Sequence, residues 1–385
     1  MAAARTTIGV VARVQLAIII YRYFPYGGLQ RDMLRIALEL QARGHALRVY
    51  CTAWEGPRPD GMDVRCYRGS IFSNRRRNEA FQAHVAKDLS RDPVGAVIGF
   101  NKMPGLDIYF AGDGCFAEQA GRRSGVYRRG KRYRHFAADE RAVFEATAAT
   151  RVLLLSDAQR EHFQAHYETP DTRMVTLPPG VSSDRRAPAD AVERRRAARK
   201  ALGVEEGELV LLFVGSGFKT KGLDRAITAL ATLRREQPSV TARLLVAGQD
   251  KIRSYHRQAH REDVGGLVEF LGGRDDVLDL MLAADVLVHP ALAEAGGVVL
   301  LEAIAAGLPV VTTQACGYAT HVKQSRAGFV LPEPFSQEQL DRAVMRFIDG
   351  VFRADCREAA LLYARNTDLY SLPVAAAAQI ERWLV

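Results

Sequence analysis

Apolar positions recur in a pattern that occurs twice along the chain. Val14 to Ile20 is a short apolar run that leads into Tyr21-Arg22-Tyr23-Phe24-Pro25-Tyr26-Gly27-Gly28. From about Leu29 to Arg43, Met33, Leu34, Ile36, Ala37, Leu38 and Leu40 fall at helical spacing, and Gly44 supplies a stop. His45 to Tyr50 then predicts a second strand. A strand, a glycine-rich turn, a helix and a strand are the opening of a parallel α/β domain. Val94 to Phe100, Ile108 to Ala111 and Arg151 to Leu155 predict later strands of the same sheet.

Leu177-Pro178-Pro179-Gly180 reads as a linker. A polar, arginine-rich helix is expected from about Ala191 to Leu202, and the opening pattern then returns. Leu209 to Val214 is a continuous apolar strand, Gly215-Ser216-Gly217 a turn, and Leu223 to Arg235 a helix. Arg243 to Ala247, Val268 to Leu271, Val286 to His289 and Leu308 to Thr312 predict further strands. Runs this uniformly apolar suit strands covered on both faces. The expected division is residues 1–179, residues 180–365, and a closing helix over 366–385. Two doubly wound domains imply a cleft, with ligands bound beyond the carboxyl ends of the strands.

A length of 385 residues agrees with two domains. With 48% hydrophobic and 25% charged residues, the chain is neither disordered, fibrous nor a multispanning membrane protein. The charge is uneven. Of 53 Lys and Arg and 44 Asp and Glu, residues 1–180 carry 27 and 18, a net +9, while the remainder carries 26 of each. The whole excess sits in the first half and points to an anionic partner there. The five cysteines (Cys51, Cys66, Cys115, Cys316, Cys356) are odd in number and lack C-x-x-C spacing. That argues against a disulfide framework or a structural zinc site and fits a reducing compartment. The run from Ile8 to Ile20 is interrupted by Arg13 and Gln15 and is too short to span a bilayer. It is read as a buried strand after a short disordered lead, not as a signal peptide.

The most informative stretch runs from Glu294 to Pro309, EAGGVVLLEAIAAGLP. Gly296-Gly297 can end a loop and open a helix whose free N–H groups face an anion. Glu294 then precedes the helix and Glu302 lies about one turn inside it. Carboxylates cannot usefully bind the phosphates of a sugar nucleotide. They suit its hydroxyls, one set on the sugar and one on the ribose. The same pattern also fits an amphipathic helix with two solvated glutamates.

Glu294 and Glu302, with seven residues between them, match the E-x7-E motif of retaining GT-B glycosyltransferases, family 4 above all. Tyr23 to Asp32 (YFPYGGLQRD), Phe218 to Arg225 (FKTKGLDR) and Arg132 to Phe136 (RYRHF) resemble the lipopolysaccharide core glucosyltransferases that add glucose to inner-core heptose. The resemblance runs from about Val14 to Val385. It implies an α/β fold of the GT-B type, with two doubly wound Rossmann-like domains facing across a cleft and the closing helix crossing back to the first domain. It also implies UDP-glucose as donor substrate, no cofactor, and a lipid A-core acceptor. The first glutamate of the motif binds hydroxyls of the donor sugar (Glu294), the second binds the ribose (Glu302), and the lysine of the K-G pair binds the diphosphate (Lys221). Gly296 and Gly297 lie in the donor-binding turn, and Gly28 belongs to a loop used beside the donor phosphates and acceptor.

The chain departs from the family at Ser216, where many members have an arginine. Lys219 and Arg185 are the candidates to supply that charge. Solvated lysines beside a turn are the other reading of Lys219 and Lys221, but lysines at a strand-to-helix turn in a cleft favour phosphate binding. Asp113, in Gly112-Asp113-Gly114-Cys115, stands near the position of a donor-contacting histidine in many family 4 enzymes. It joins Glu294 as a catalytic candidate, with an ordinary turn aspartate as the other reading. No Asp-x-Asp pair occurs in the chain, so metal-independent catalysis is expected, with lysines and helix N-termini neutralising the leaving group.

Arg122, Arg123, Arg128, Arg129, Lys131, Arg132 and Arg134 form a basic segment with no acid between Gln119 and Ala138. Tyr127, Tyr133 and Phe136 are interleaved. Such a segment suits an anionic membrane surface, at about 1 kcal/mol per basic residue, or the phosphates of a lipid acceptor. RNA and a solvated loop remain the other readings. The expected location is peripheral, on the cytoplasmic face of the inner membrane, without a nucleic-acid partner. Two alternatives stand beside this reading: a family 4 transferase with another nucleotide sugar or lipid acceptor, and a non-catalytic protein that binds anionic lipid or nucleic acid.

Overall fold

The first apolar run folds as β1 (Gln15–Ile19), buried from Leu16 onward. After β2 (Arg22–Tyr23), the helix α1 (Gly28–Ala42) turns Met33, Ile36, Ala37 and Leu40 to the core. Gly44 follows with φ +97, left-handed backbone that glycine adopts without steric cost. Next come β3 (Ala46–Cys51), β4 (Ala53–Trp54) and β5 (Met62–Cys66). The helix α2 (Asn74–Arg91) is capped by Ser73, whose hydroxyl accepts from the Arg76 N–H at 3.3 Å. The chain continues through β6 (Ala96–Gly99), β7 (Ile108–Phe110), α3 (Phe116–Gly121), α4 (Gly125–Arg129), α5 (Lys131–Phe144), β8 (Arg151–Leu154), α6 (Asp157–Tyr167) and β9 (Met174–Thr176). Seven of these strands form one parallel sheet in the order β5-β3-β1-β6-β7-β8-β9, while β2 and β4 pair apart. The order reverses between β1 and β6.

The second half repeats the plan. α7 (Ala191–Ala201) leads to β10 (Leu209–Val214), of which only Val214 is not fully buried. There follow α8 (Phe218–Lys221), α9 (Leu223–Glu236), β11 (Ala242–Ala247), α10 (Arg253–Arg261), β12 (Val268–Gly272), α11 (Val277–Ala283), β13 (Val286–His289), α12 (Val298–Ala305), β14 (Val310–Thr313), α13 (Ala319–Ser325), β15 (Gly328–Leu331), α14 (Gln337–Met345), α15 (Gly350–Asn366) and α16 (Leu372–Leu384). Six parallel strands run β12-β11-β10-β13-β14-β15, the order of a dinucleotide-binding sheet, with its reversal between β10 and β13. The apolar side of α9 (Ala226, Ile227, Leu230, Leu233) packs on Leu211, Phe213, Leu244 and Val246 of this sheet.

This computed structural model describes residues 13–25, 27–69, 73–121 and 125–384. The expected lead through Ala12 lies outside them, as do Arg122 and Arg123 of the basic segment. The chain divides into two units: one holds the chain through Leu154, Arg160–Leu177 and the segment from Leu372, the other Leu155–Gln159 and Pro178–Ser371.

Two expectations are corrected. The closing helix starts at Leu372, not at 366, because Asp368 makes a turn first, accepting from the N–H groups of Tyr370 (2.9 Å) and Ser371 (3.2 Å). The strand expected from Leu308 begins at Val310: Pro309 only accepts, from Leu287 N–H (2.8 Å), having no N–H of its own for the ladder, and Val310 N–H is the first to donate, to the Ala327 carbonyl (2.9 Å). The described part of the basic segment is helical, on α4 and α5. None of the described helices is long and apolar enough to cross a membrane.

Candidate active site

Within the second unit, the turns that leave β10 and β13 meet at the point where strand order reverses. Gly222 lies at φ +76, and a side chain there would bring Cβ to 2.2 Å from the Pro290 carbonyl. Only glycine permits that approach, and it sets α8 against the loop after β13. Lys221, the residue before it, thereby donates through Nζ to the Glu294 carboxylate.

The loop carrying Glu294 is fixed from below. Glu294 N–H donates to the Ala315 carbonyl (3.1 Å), and Gly317 and Tyr318 N–H donate to the carbonyls of Glu294 (3.0 Å) and Gly296 (2.8 Å). A Cβ on Gly317 would stand 2.0 Å from the Ala295 carbonyl, so this close pairing again requires glycine. Gly297 then takes φ +83 as the residue before α12. The Gly-Gly pair thus ends a loop and opens a helix, as its sequence implies.

Glu302, on the second turn of α12, is only 4% exposed. Arg185, from the segment after the linker, brings Nε to 3.8 Å from its Oε1. The Arg185 Nε is buried and has no hydrogen-bond partner among the described residues. Of the two candidates to replace the arginine missing at Ser216, Arg185 is the one at a motif carboxylate. Lys219 is exposed on α8 and forms no ion pair with either glutamate among the described residues.

Burial by itself would raise the Glu294 carboxyl, but His289 and Lys221 beside it bring it down to about 2. His289, the last residue of β13, is fully buried, and burial lowers its pKa below the usual histidine value. Its Nε2 lies 3.9 Å from Glu294 Oε2. At neutral pH the site therefore offers an ionised carboxylate and a neutral imidazole, with the Lys221 side chain against the carboxylate. No group of three or more His, Cys, Asp or Glu among the described residues is placed to hold a metal ion.

In the first unit, Gly28 opens α1 at the carboxyl end of β1, and a Cβ on it would meet nothing within 4 Å. The Gly112–Asp113 loop leaves β7 beside it, since a Cβ on Gly112 would touch Leu29 Cδ1 at 2.3 Å. Asp113 accepts from the Tyr109 hydroxyl, lies 3.4 Å from Lys102 Nζ and keeps 53% of its side chain exposed. Beneath the loop, Lys102 donates to the Gly114 carbonyl (2.7 Å) and to Glu140 (2.6 Å). Glu140, wholly buried, also accepts from Phe116 N–H (2.7 Å), Ala117 N–H (2.8 Å) and the Tyr167 hydroxyl (2.7 Å). The two catalytic candidates, Asp113 and Glu294, thus belong to different units, each held by its own buried network.

Arg128, Arg129, Lys131, Arg132 and Arg134 are all exposed, with Val126 among them. Tyr133 lies against Tyr127 (centroids 6.1 Å) and Phe116 (5.7 Å).

Sequence reasoning missed His289, Lys102 and Glu140. The signal for His289 is a polar residue ending a wholly apolar strand. For Glu140 it is helical spacing, which puts it on one face with Val143 and Phe144.

Comparison with known proteins agrees with this geometry. Residues 194–362 match the family model described as glycosyl transferases group 1, a span that contains Lys221, Glu294 and Glu302. The lipopolysaccharide glucosyltransferase WaaG of Escherichia coli K12 is 46% identical over 364 residues, covering 94% of this chain and 97% of that protein. A crystal structure of WaaG, a glycosyltransferase involved in lipopolysaccharide biosynthesis, superposes with a TM-score of 0.91 at 45% identity, over 95% of this chain and 99% of that one. A crystal structure of HepE from Anabaena with UDP and glucose has a TM-score of 0.75 at 19% identity, over 96% of this chain and all of that one. That likeness shows the fold, two Rossmann-like units on parallel sheets in the GT-B class. With near-complete coverage at this identity, and the paired glutamates in place on α12 and the loop before it, the chain belongs to the group 1 glycosyltransferases, in the family of the lipopolysaccharide glucosyltransferase WaaG.

Proposed function

We propose that this protein transfers glucose from UDP-glucose to the heptose region of lipid A-core, with retention at the anomeric carbon, at the cytoplasmic face of the inner membrane. The observation that carries the reading is the Glu294–Glu302 pair around the left-handed Gly297, with Lys221 against Glu294, in a chain 46% identical to WaaG. Glu302 accepts hydrogen bonds from the ribose and Glu294 from the sugar. Lys221, Arg185 and the first turn of α12 offset the charge of the diphosphate. The acceptor hydroxyl attacks the anomeric carbon from the face the diphosphate leaves. As the carbon–oxygen bond to phosphate breaks, its electron pair goes to the UDP oxygen, which takes the acceptor's proton. The products are UDP and the new glucoside. A panel of nucleotide sugars scored by thermal shift tests the donor: UDP-glucose at a hundred times its dissociation constant should add about 2.7 kcal/mol, and a larger shift with GDP-mannose would replace the assignment.

The same reading makes the reaction independent of metal, motivated by the missing Asp-x-Asp pair and by the cationic groups at the site. Turnover should survive excess EDTA. Loss of turnover in EDTA that manganese restores would overturn this.

The exposed cations of α4 and α5 support docking on an anionic membrane, with Val126 and the tyrosine rings as the apolar anchor. Replacing Arg128, Arg129, Lys131 and Arg132 by serine removes four charges, each worth about 1 kcal/mol near such a surface. Vesicle affinity should then fall on the order of a thousandfold at low salt, while UDP affinity stays intact. Co-sedimentation across a salt series measures this. Wild-type binding should fade as the Debye length shrinks, and equal binding by both proteins would leave the segment a solvated surface.

A further inference from the structure

Both ring nitrogens of His289 are buried and neither has a hydrogen-bond partner among the described residues. The ring stacks beside Phe213, centroids 6.0 Å apart, so a phenylalanine would satisfy the packing. An unpaired polar ring in a core is a standing cost that calls for a reason. The charged groups that face it are Glu294, from the loop after β13, and Lys221, from α8. A carboxylate only accepts hydrogen bonds, and the buried ring is neutral, so its single proton is favoured on Nε2, the nitrogen nearer Glu294.

Resting on the donor reading above, Lys221 and Glu294 are partners of each other, yet the reaction asks each to serve a different part of the donor. A diphosphate competes for the ammonium. A carboxylate that loses its cation needs another group to keep its direction. We propose that His289 is the positioning residue for Glu294: its Nε2–H holds the carboxylate toward the donor sugar while Lys221 serves the diphosphate. The present separation of 3.9 Å needs a shift of only about 1 Å to become a hydrogen bond. A neutral donor is suited to this task. It orients the carboxylate and leaves its full negative charge for the sugar hydroxyls, which a second lysine would neutralise.

Two variants and one spectrum test the proposal. His289→Phe keeps the packing on Phe213 and removes the N–H. His289→Gln returns an amide N–H near the position of Nε2. The Phe variant should lose roughly ten- to a hundredfold in kcat/KM for UDP-glucose, the effect of one hydrogen bond to a charged group, with UDP affinity within about twofold of wild type. The Gln variant should recover most of that loss. In the wild-type protein, the imidazole nitrogen–proton correlation spectrum should show the Nε2–H form, and its proton should move downfield with UDP-glucose but not with UDP. An undiminished kcat/KM in the Phe variant overturns the proposal, as does a parallel loss of UDP affinity, which would mark a purely structural role. If wild type fails to use UDP-glucose, the donor reading falls, and the tautomer still decides for His289: an Nδ1–H form overturns its assignment.

Discussion

Lys102→Met should destabilise the first unit by about 3–5 kcal/mol at neutral pH, the usual cost of leaving one partner of a buried ion pair uncompensated. Methionine keeps the length of the side chain, so the change isolates the charge. Burial alone would lower the Lys102 ammonium, but Asp113 and Glu140 raise it above the usual lysine value. Burial likewise would raise the Glu140 carboxyl, and Lys102, the Phe116 N–H and the Tyr167 hydroxyl bring it below the carboxylate range. A depressed carboxyl stabilises the fold above its unfolded pKa, and that contribution is lost as pH falls through the folded value. A raised lysine stabilises below its unfolded pKa and loses its effect as pH rises through the folded value. The pair therefore stabilises across the whole interval between.

In the variant the sign reverses for Glu140. Buried without a cation, its carboxyl titrates above the unfolded value near pH 4.3, so the deficit against wild type should shrink as pH falls from 7 toward 4. Adding Glu140→Gln should recover most of the loss at pH 7, because no buried charge is left unpaired. Urea unfolding of the full-length protein and its variants, followed by a probe in the first unit, measures all three. A cost under about 1 kcal/mol for Lys102→Met, or a double variant no better than the single, would show that the pair is not what holds the Asp113 loop.

How far the sequence reached differs between segments for identifiable reasons. β10 occupies Leu209–Val214 as expected, since six successive apolar residues buried on both faces admit little else. The turn into α12 was legible because Gly296-Gly297 between two glutamates marks a left-handed residue before a helix. β15 was not, because Gly328–Leu331 is four residues long and only Leu331 is fully buried. α4 and α5 present in the sequence as one undivided basic stretch: their charges mask the period, and the Tyr127–Tyr133 and Phe116–Tyr133 contacts that order them are tertiary. The pairing of Lys102 with Glu140 spans 38 positions and leaves no local trace. Glu294, by contrast, is marked by its motif, while His289, the group beneath it, looks in the sequence like the mere end of a strand.

That contrast shapes the largest effect expected on turnover. Glu294→Ala should lower kcat by roughly a hundredfold to ten-thousandfold, if the carboxylate accepts two hydroxyl hydrogen bonds worth about 1.5–3 kcal/mol each. UDP affinity should be unchanged or slightly improved, because Lys221, now paired with Glu294, is released for the diphosphate. Glu302→Ala should behave in the opposite way. Loss of one ribose hydrogen bond to a charged acceptor should weaken UDP by roughly ten- to a hundredfold, with the same proportional loss for UDP-glucose. The separation follows from position. Glu294 lies before α12 beside Lys221 and His289, whereas Glu302 lies inside the helix beside Arg185. Calorimetry with UDP and with UDP-glucose, paired with steady-state rates, distinguishes sugar from nucleotide contacts. Unchanged UDP affinity in Glu302→Ala would remove that glutamate from the ribose. A fall in UDP affinity in Glu294→Ala as large as its fall in rate would place it on the nucleotide and not on the sugar.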